Sequence, residues 1–215
     1  MKQHEAVILS LEKLGGLDDR TVAVHGVGIR QGDIEILQKA QTAVIWCPSS
    51  NRFLFGRSAP IASLWGRIPM AIGTDSTITG SESLFGELRA AQREYALTPR
   101  ELFSLVTDSP RRILRLPEDR GAIVNGGVAD LFVLPAAESS PYSTLLHAEP
   151  GNIALLLRRG RVVFHDTCFD RAFGHDGASS SRITLNHRPK WISSRRFLTL
   201  HPSYRRLLAH YTYLN

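Results

Sequence analysis

Met70-Ala71-Ile72-Gly73-Thr74-Asp75-Ser76 is a short apolar run that ends in glycine and is followed at once by an acid. In α/β proteins the C-terminal tips of strands are where ligands and chemistry gather. Asp75 at such a tip, between Thr74 and Ser76, has two readings. It could bind a metal or move a proton, or it could cap the helix that follows, as Asx residues often do. The choice depends on what precedes it.

Thr21 to Val24 reads as a short buried strand ending in His25-Gly26. Asp33 to Lys39 suits a helix, and Thr42 to Trp46 a second strand. That strand runs into Cys47-Pro48-Ser49-Ser50-Asn51, where Pro and Asn predict an irregular loop. Ile61 to Leu64 looks like a helical turn, Pro69 to Ile72 a third strand, and Ser83 to Arg93 a helix. Alternation of strand and helix with short connections implies parallel strands with crossover helices. Parallel strands place all their C-terminal tips on one rim, so His25, the Cys47–Asn51 loop and Asp75 should converge.

Upstream, Glu5 to Leu14 carries apolar residues at helical spacing and is stopped by Gly15-Gly16. Downstream, Thr98-Pro99-Arg100-Glu101 is a helix start with Thr as N-cap and Glu in the capping-box position. Asp108-Ser109-Pro110 starts another. Gly121 to Leu134 reads as two strand-like runs around a glycine turn. Asn152 to Leu157 and Arg161 to Phe164, joined by Arg159-Gly160, form a hairpin. The expected organisation is an α/β part over 1–118, a small β unit over 119–167, and a Ser-, Arg- and His-rich tail over 168–215. In that tail, 178–181 reads as a linker and Pro202 to Tyr211 as a terminal helix.

The 215 residues allow one good domain and a small second one. Cys47 and Cys168 are isolated, so no disulfide framework or zinc knuckle is expected, and a reducing cytoplasm is. No signal peptide and no membrane span is read. After Asp176 no acid occurs, while seven Arg and Lys follow; setting these aside turns the formal charge from +6 to about −1. The basic tail lacks the spacing of a nucleic-acid reader, so a nucleic-acid partner is not expected.

The order Val-His25-Gly-Val, Trp-Cys47-Pro-Ser-Ser-Asn51, Gly-Thr-Asp75-Ser resembles the second half of the amidohydrolase superfamily. The branch it resembles holds cytosine deaminase and the chlorohydrolases. Leu84-Phe-Gly-Glu-Leu-Arg-Ala-Ala is similar to the helix after the last barrel strand. Thr98 to Leu116 is similar to the family's paired helices, and Gly121 to Leu134 to the strands that rejoin its β domain. The resemblance covers about residues 5 to 166. It implies the C-terminal part of a (β/α)8 TIM-type barrel, strands six to eight, followed by part of a small β-sandwich.

The activity it implies is metal-dependent hydrolysis of non-peptide carbon–nitrogen bonds, such as deamination of a nitrogen heterocycle, with a small-molecule substrate. The cofactor it implies is a divalent metal, zinc first and iron or manganese as alternatives. Asp75 would ligate the metal and shuttle the proton, and His25 would orient the water and stabilise charge. Ser50 and Asn51 would shape the substrate side; Cys47 is read as a buried thiol. The family's N-terminal His-x-His pair and fifth-strand ligand have no counterpart here, and His4 does not replace them. One carboxylate does not hold a catalytic zinc, which takes three protein ligands and an open position. The alternative expectation is therefore a metal-free, catalytically inactive fragment that self-associates or joins a complementary chain.

Overall fold

The computed structural model describes residues 7–174 and 180–193. They form two units, divided at Ala122/Ile123. The expected terminal helix at 202–211, His4, and most of the basic tail lie outside the described residues.

In the first unit α1 (Val7–Lys13) ends where Gly15 turns left-handed, φ 68°, and the Gly16 N–H returns to Leu11 O at 2.8 Å. Then come β1 (Val22–Val24), α2 (Gln31–Ala40), β2 (Ala43–Trp46), α3 (Pro48–Phe55), α4 (Ile61–Leu64) and β3 (Met70–Ile72). After these follow α5 (Leu84–Glu94), α6 (Pro99–Val106) and α7 (Asp108–Ile113). The strands make a parallel sheet in the order β1-β2-β3, pairing Val22 with Ala43 and Val44 with Met70.

The central strand is nearly all apolar and buried, as a strand covered on both faces should be. Ile34 and Leu37 of α2, Leu64 of α4, Leu88 and Ala91 of α5, and Leu102 and Leu105 of α6 are buried with it. The Trp46 indole is fully buried and donates its N–H to Ser58 Oγ at 2.9 Å. Thr98 caps α6 as its sequence requires: its hydroxyl accepts the Glu101 N–H, and the Glu101 carboxylate accepts the Thr98 N–H at 2.7 Å.

Two local expectations of this unit are overturned. The strand β1, read as buried, is only half-buried, and its last residue, Val24, is exposed. The Cys47–Asn51 stretch leads into a helix rather than a loop. Pro48 is its first residue, where proline's missing N–H costs nothing and its fixed φ suits the helix. Gly56, at φ 64°, ends it. Read without its position, the proline looked like a breaker.

The second unit holds β4 (Leu131–Val133), α8 (Pro141–His147), β5 (Leu155–Arg158), β6 (Arg161–His165), α9 (Asp170–Phe173), β7 (Ser180–Leu185) and β8 (Arg188–Ser193). Its sheet is antiparallel, in the order β4-β5-β6-β8-β7. Of the two runs expected around the Gly126-Gly127 turn, only Leu131–Val133 is a strand; residues 121–124 are not. Residues 180–193, read as aperiodic linker and tail, make a hairpin that completes the sheet. Lys190 in it is fully buried.

Candidate active site at the strand tips

Three parallel strands end on one rim, and the ladder continues one residue past each outer strand. His25 N–H donates to Ile45 O at 2.9 Å, and Gly73 N–H to Trp46 O at 2.8 Å. A side chain at Gly73 would lie 2.8 Å from Ile45 Cγ2, so only glycine fits this exit from β3. His25 (φ 71°) and Asp75 (φ 54°) both take left-handed backbone. Non-glycine residues pay roughly 1–2 kcal/mol for that conformation, and His and Asp are among those found there most often.

The network around them fixes their side chains. Asn51, fully buried on α3, grips His25 twice. Its amide nitrogen donates to His25 O at 2.8 Å, and its Oδ1 lies 2.9 Å from His25 Nδ1. A carbonyl can only accept, so the amide nitrogen must face His25 O, and Oδ1 must face the ring. Nδ1 therefore carries the hydrogen. That leaves Nε2 facing Asp75, with Nε2 to Oδ2 at 3.9 Å and both side chains about one-third exposed. The Phe55 ring stands edge-on to the imidazole with centroids 6.2 Å apart.

Asp75 Oδ2 accepts hydrogen bonds from the buried Ser50 hydroxyl and from Thr79 Oγ1, the latter at 3.2 Å. The Ser50 hydroxyl is the main reason the Asp75 carboxyl titrates below the usual carboxylate range. Desolvation, the next-largest effect, opposes it, and Thr79, the His25 charge and the Ser76 N–H add smaller pulls in the same direction as Ser50. Asp75 is thus an anion at neutral pH, poised beside Nε2. Cys47 is buried, and its thiol is pushed up to about 11, chiefly by burial and further by the Asp75 and Glu87 charges. It is a neutral packing group, as the sequence suggested.

His25, Ser50, Asn51 and Asp75 are therefore brought together. Thr79 and Glu87 are additions the sequence reading did not single out. Thr79 offered no signal beyond being a hydroxyl near Asp75. Glu87 did offer one: it lies three and four residues before the buried Ala90 and Ala91, so a carboxylate stands on the apolar stripe of α5.

The metal implied by the family finds only part of a site. Among the described residues, no group of three or more His, Cys, Asp and Glu side chains is placed to hold an ion. Asp75 could give one ligand, and a catalytic zinc takes about three from the protein. The described residues alone do not fit a complete centre.

Similarity to known proteins points the same way as the rim. A 5'-deoxyadenosine deaminase of Methanothermobacter thermautotrophicus is 27% identical over 173 residues, covering 73% of this chain and 40% of that protein. An S-triazine hydrolase of Gordonia rubripertincta is 28% identical, covering 73% and 36%. A crystal structure of an adenosine deaminase from Xanthomonas campestris with bound zinc superposes with a TM-score of 0.66 at 25% identity, over 73% of this chain and 39% of that one. The chain thus spans about two fifths of the length of the relatives it matches. The model of the amidohydrolase family matches residues 2–163, and the chain belongs to that family.

Proposed function

We propose that the chain carries strands six to eight of an amidohydrolase barrel, and that its strand-tip rim takes part in hydrolysing a carbon–nitrogen bond of an amino-substituted nitrogen heterocycle. The observation that carries this is the His25–Asp75 pair. One ring nitrogen is tied off by Asn51, and the other is presented to a carboxylate held ionised by two hydroxyls. That is the arrangement a proton-transfer site needs: an acceptor of fixed charge and a ring of fixed tautomer.

In the proposed reaction Asp75 takes a proton from the attacking water as its oxygen bonds to the ring carbon. His25 Nε2, which carries no hydrogen in this tautomer, accepts a hydrogen bond from the water and orients its attack. The substrate's ring nitrogen beside the attacked carbon takes up the developing negative charge until the leaving group departs. Asp75 then gives the proton to the departing nitrogen, and the carbon–nitrogen bond breaks to release ammonia. Ser50, Thr79 and Asn51 hold the two groups in place and Phe55 flanks the ring. In metal-assisted hydrolysis a divalent ion acidifies the attacking water; here such an ion needs donors besides Asp75 from outside the described residues. The substrate class rests on relatives named as deaminases and a triazine hydrolase. The two free cysteines suit the cytoplasm, and among the described residues no helix is long and apolar enough to cross a membrane.

A second reading is favoured by the incomplete ligand set: the chain is an inactive member of its family that acts through association with another chain. Zinc affinity separates the two. Under the first reading the protein competes with a chelator for zinc, and Asp75→Ala abolishes the competition. A protein that binds no zinc, or binds it equally after Asp75→Ala, supports the second.

A further inference from the structure

Glu87 is fully buried and takes no part in the proposed chemistry. Its two oxygens reach two different segments, a helix N-terminus and a loop. Oε2 accepts the Ser49 N–H at 3.0 Å, in the first turn of α3, and Oε1 accepts the Ser81 N–H at 2.7 Å. A helix N-terminus leaves its first N–H groups without intrahelical partners and carries partial positive charge. A carboxylate from another helix satisfies both conditions. The same two residues are joined a second time, Ser49 Oγ to Ser81 Oγ at 2.8 Å.

Each segment delivers groups to the rim. The residues after Ser49 are Ser50, which binds Asp75, and Asn51, which grips His25. Two residues before Ser81 stands Thr79, the other hydroxyl on Asp75. Between them, Gly80 leaves no room for a side chain, since a Cβ would sit 2.2 Å from Thr74 O and 3.2 Å from Glu87 Oε1. A Cβ at Gly86 would lie 2.8 Å from the Ser81 Cβ, so glycine there lets α5 come close enough for Glu87 to reach.

We infer that Glu87 is a positioning residue: by clamping the Ser49 and Ser81 amides it sets the separation of His25 and Asp75 and fixes the His25 tautomer. The inference rests on the proposed role of those two residues, and its test needs neither metal nor turnover. Glu87→Gln keeps the volume but turns an amide nitrogen toward one of the two backbone N–H groups. The expected result has two parts, read by NMR on the intact chain. The Ser49 or Ser81 amide exchanges about tenfold faster or more. The long-range proton–nitrogen spectrum of His25 changes from a single Nδ1–H tautomer to an average of two. Loss of amide protection with the His25 pattern unchanged would overturn the inference, as would unchanged amides. Should Glu87→Gln not fold, Glu87→Asp draws the carboxylate back by one methylene and is read by the same two signals. If no hydrolysis or zinc binding is ever found, these spectra keep their meaning.

Discussion

The two units of the molecule use left-handed backbone for different ends. Among the described residues of the antiparallel unit the non-glycine examples are Arg159, Asn186 and His187. Arg159-Gly160 and Asn186-His187 are the two-residue connections of β5–β6 and β7–β8, where positive φ matches the twist of the strands. In the α/β unit Gln41 and Arg115 follow the ends of α2 and α7, a normal helix stop. His25 and Asp75 follow strands, neither turning a hairpin nor ending a helix. Their backbone strain is held by side-chain bonds from Asn51, Ser50 and Thr79, and strain of this kind tends to collect where chemistry happens.

Buried ionisable groups repeat the contrast. Lys190 of β8 donates to Ile153 O at 2.8 Å and to the Asp166 carboxylate, tying the strand to the segments flanking β5 and β6. It fastens regular sheet. Glu87 fastens the first turn of α3 to the loop before α5, the two segments that carry the candidate site. The same kind of expensive group is spent on architecture in one unit and on positioning in the other.

The largest test of this contrast is Lys190→Ala. It leaves Asp166 and Ile153 O without their partner and should cost roughly 3–5 kcal/mol in urea unfolding. Amide exchange should accelerate in β6 and β8 and stay unchanged at Ser49 and Ser81. Acceleration at the rim amides would break the separation of roles. Asn51→Ala comes next, at about 2 kcal/mol, because it strands His25 O and the ring nitrogen in a partly buried site. Its spectra should show His25 in both tautomers, an effect Lys190→Ala lacks.

Thr98→Ala should cost about 1 kcal/mol by removing the cap of α6, with no change at His25. The same region sharpens the pH behaviour. Glu101 and Asp75 both titrate below their ordinary values, Glu101 chiefly through the Thr98 hydroxyl and Asp75 chiefly through that of Ser50. Lowered carboxyls stabilise the fold above their unfolded values, and that contribution is lost as pH falls through the folded ones. Acid unfolding of the α/β unit should therefore set in below about pH 4. Thr98→Ala and Ser50→Ala should each raise the corresponding carboxyl, read by carbon NMR. The smallest effect is expected at Arg159→Asn, which gives the β5–β6 turn the favoured Asn-Gly pair and should stabilise by about 0.5 kcal/mol. Destabilisation there would argue that the turn is not ordinary hairpin geometry.

Much of the α/β unit was legible because its signals are local and periodic. The apolar run Ala43–Trp46, the capping box at Thr98 and the glycine stop at Gly15 each carry their own cause. The convergence of His25, Ser50, Asn51 and Asp75 followed from parallel strands sharing a rim. What escaped depended on tertiary context. Pro48 reads as a breaker until its place as first helical residue is known. Glu87, though it stands on the apolar stripe of α5, gains its role only from the Ser49 and Ser81 amides brought to it by the fold. Residues 180–193 have little periodicity of their own; as strands they are completed by pairing with β6. The Gly126-Gly127 region suggested two strands, but only one forms, and Asp130 instead accepts the Arg159 N–H at 2.7 Å beneath the hairpin turn.

The most direct test of the central claim is ammonia release from 5'-deoxyadenosine and from an amino-substituted triazine, with zinc supplied, by the intact chain and by Asp75→Ala. The account expects turnover by the unaltered chain and a loss of at least about a hundredfold in the variant, since general acid–base groups contribute about that much or more. Equal rates from both proteins would show that Asp75 is not where the chemistry happens, and no release from either would leave the inactive, associating reading in its place.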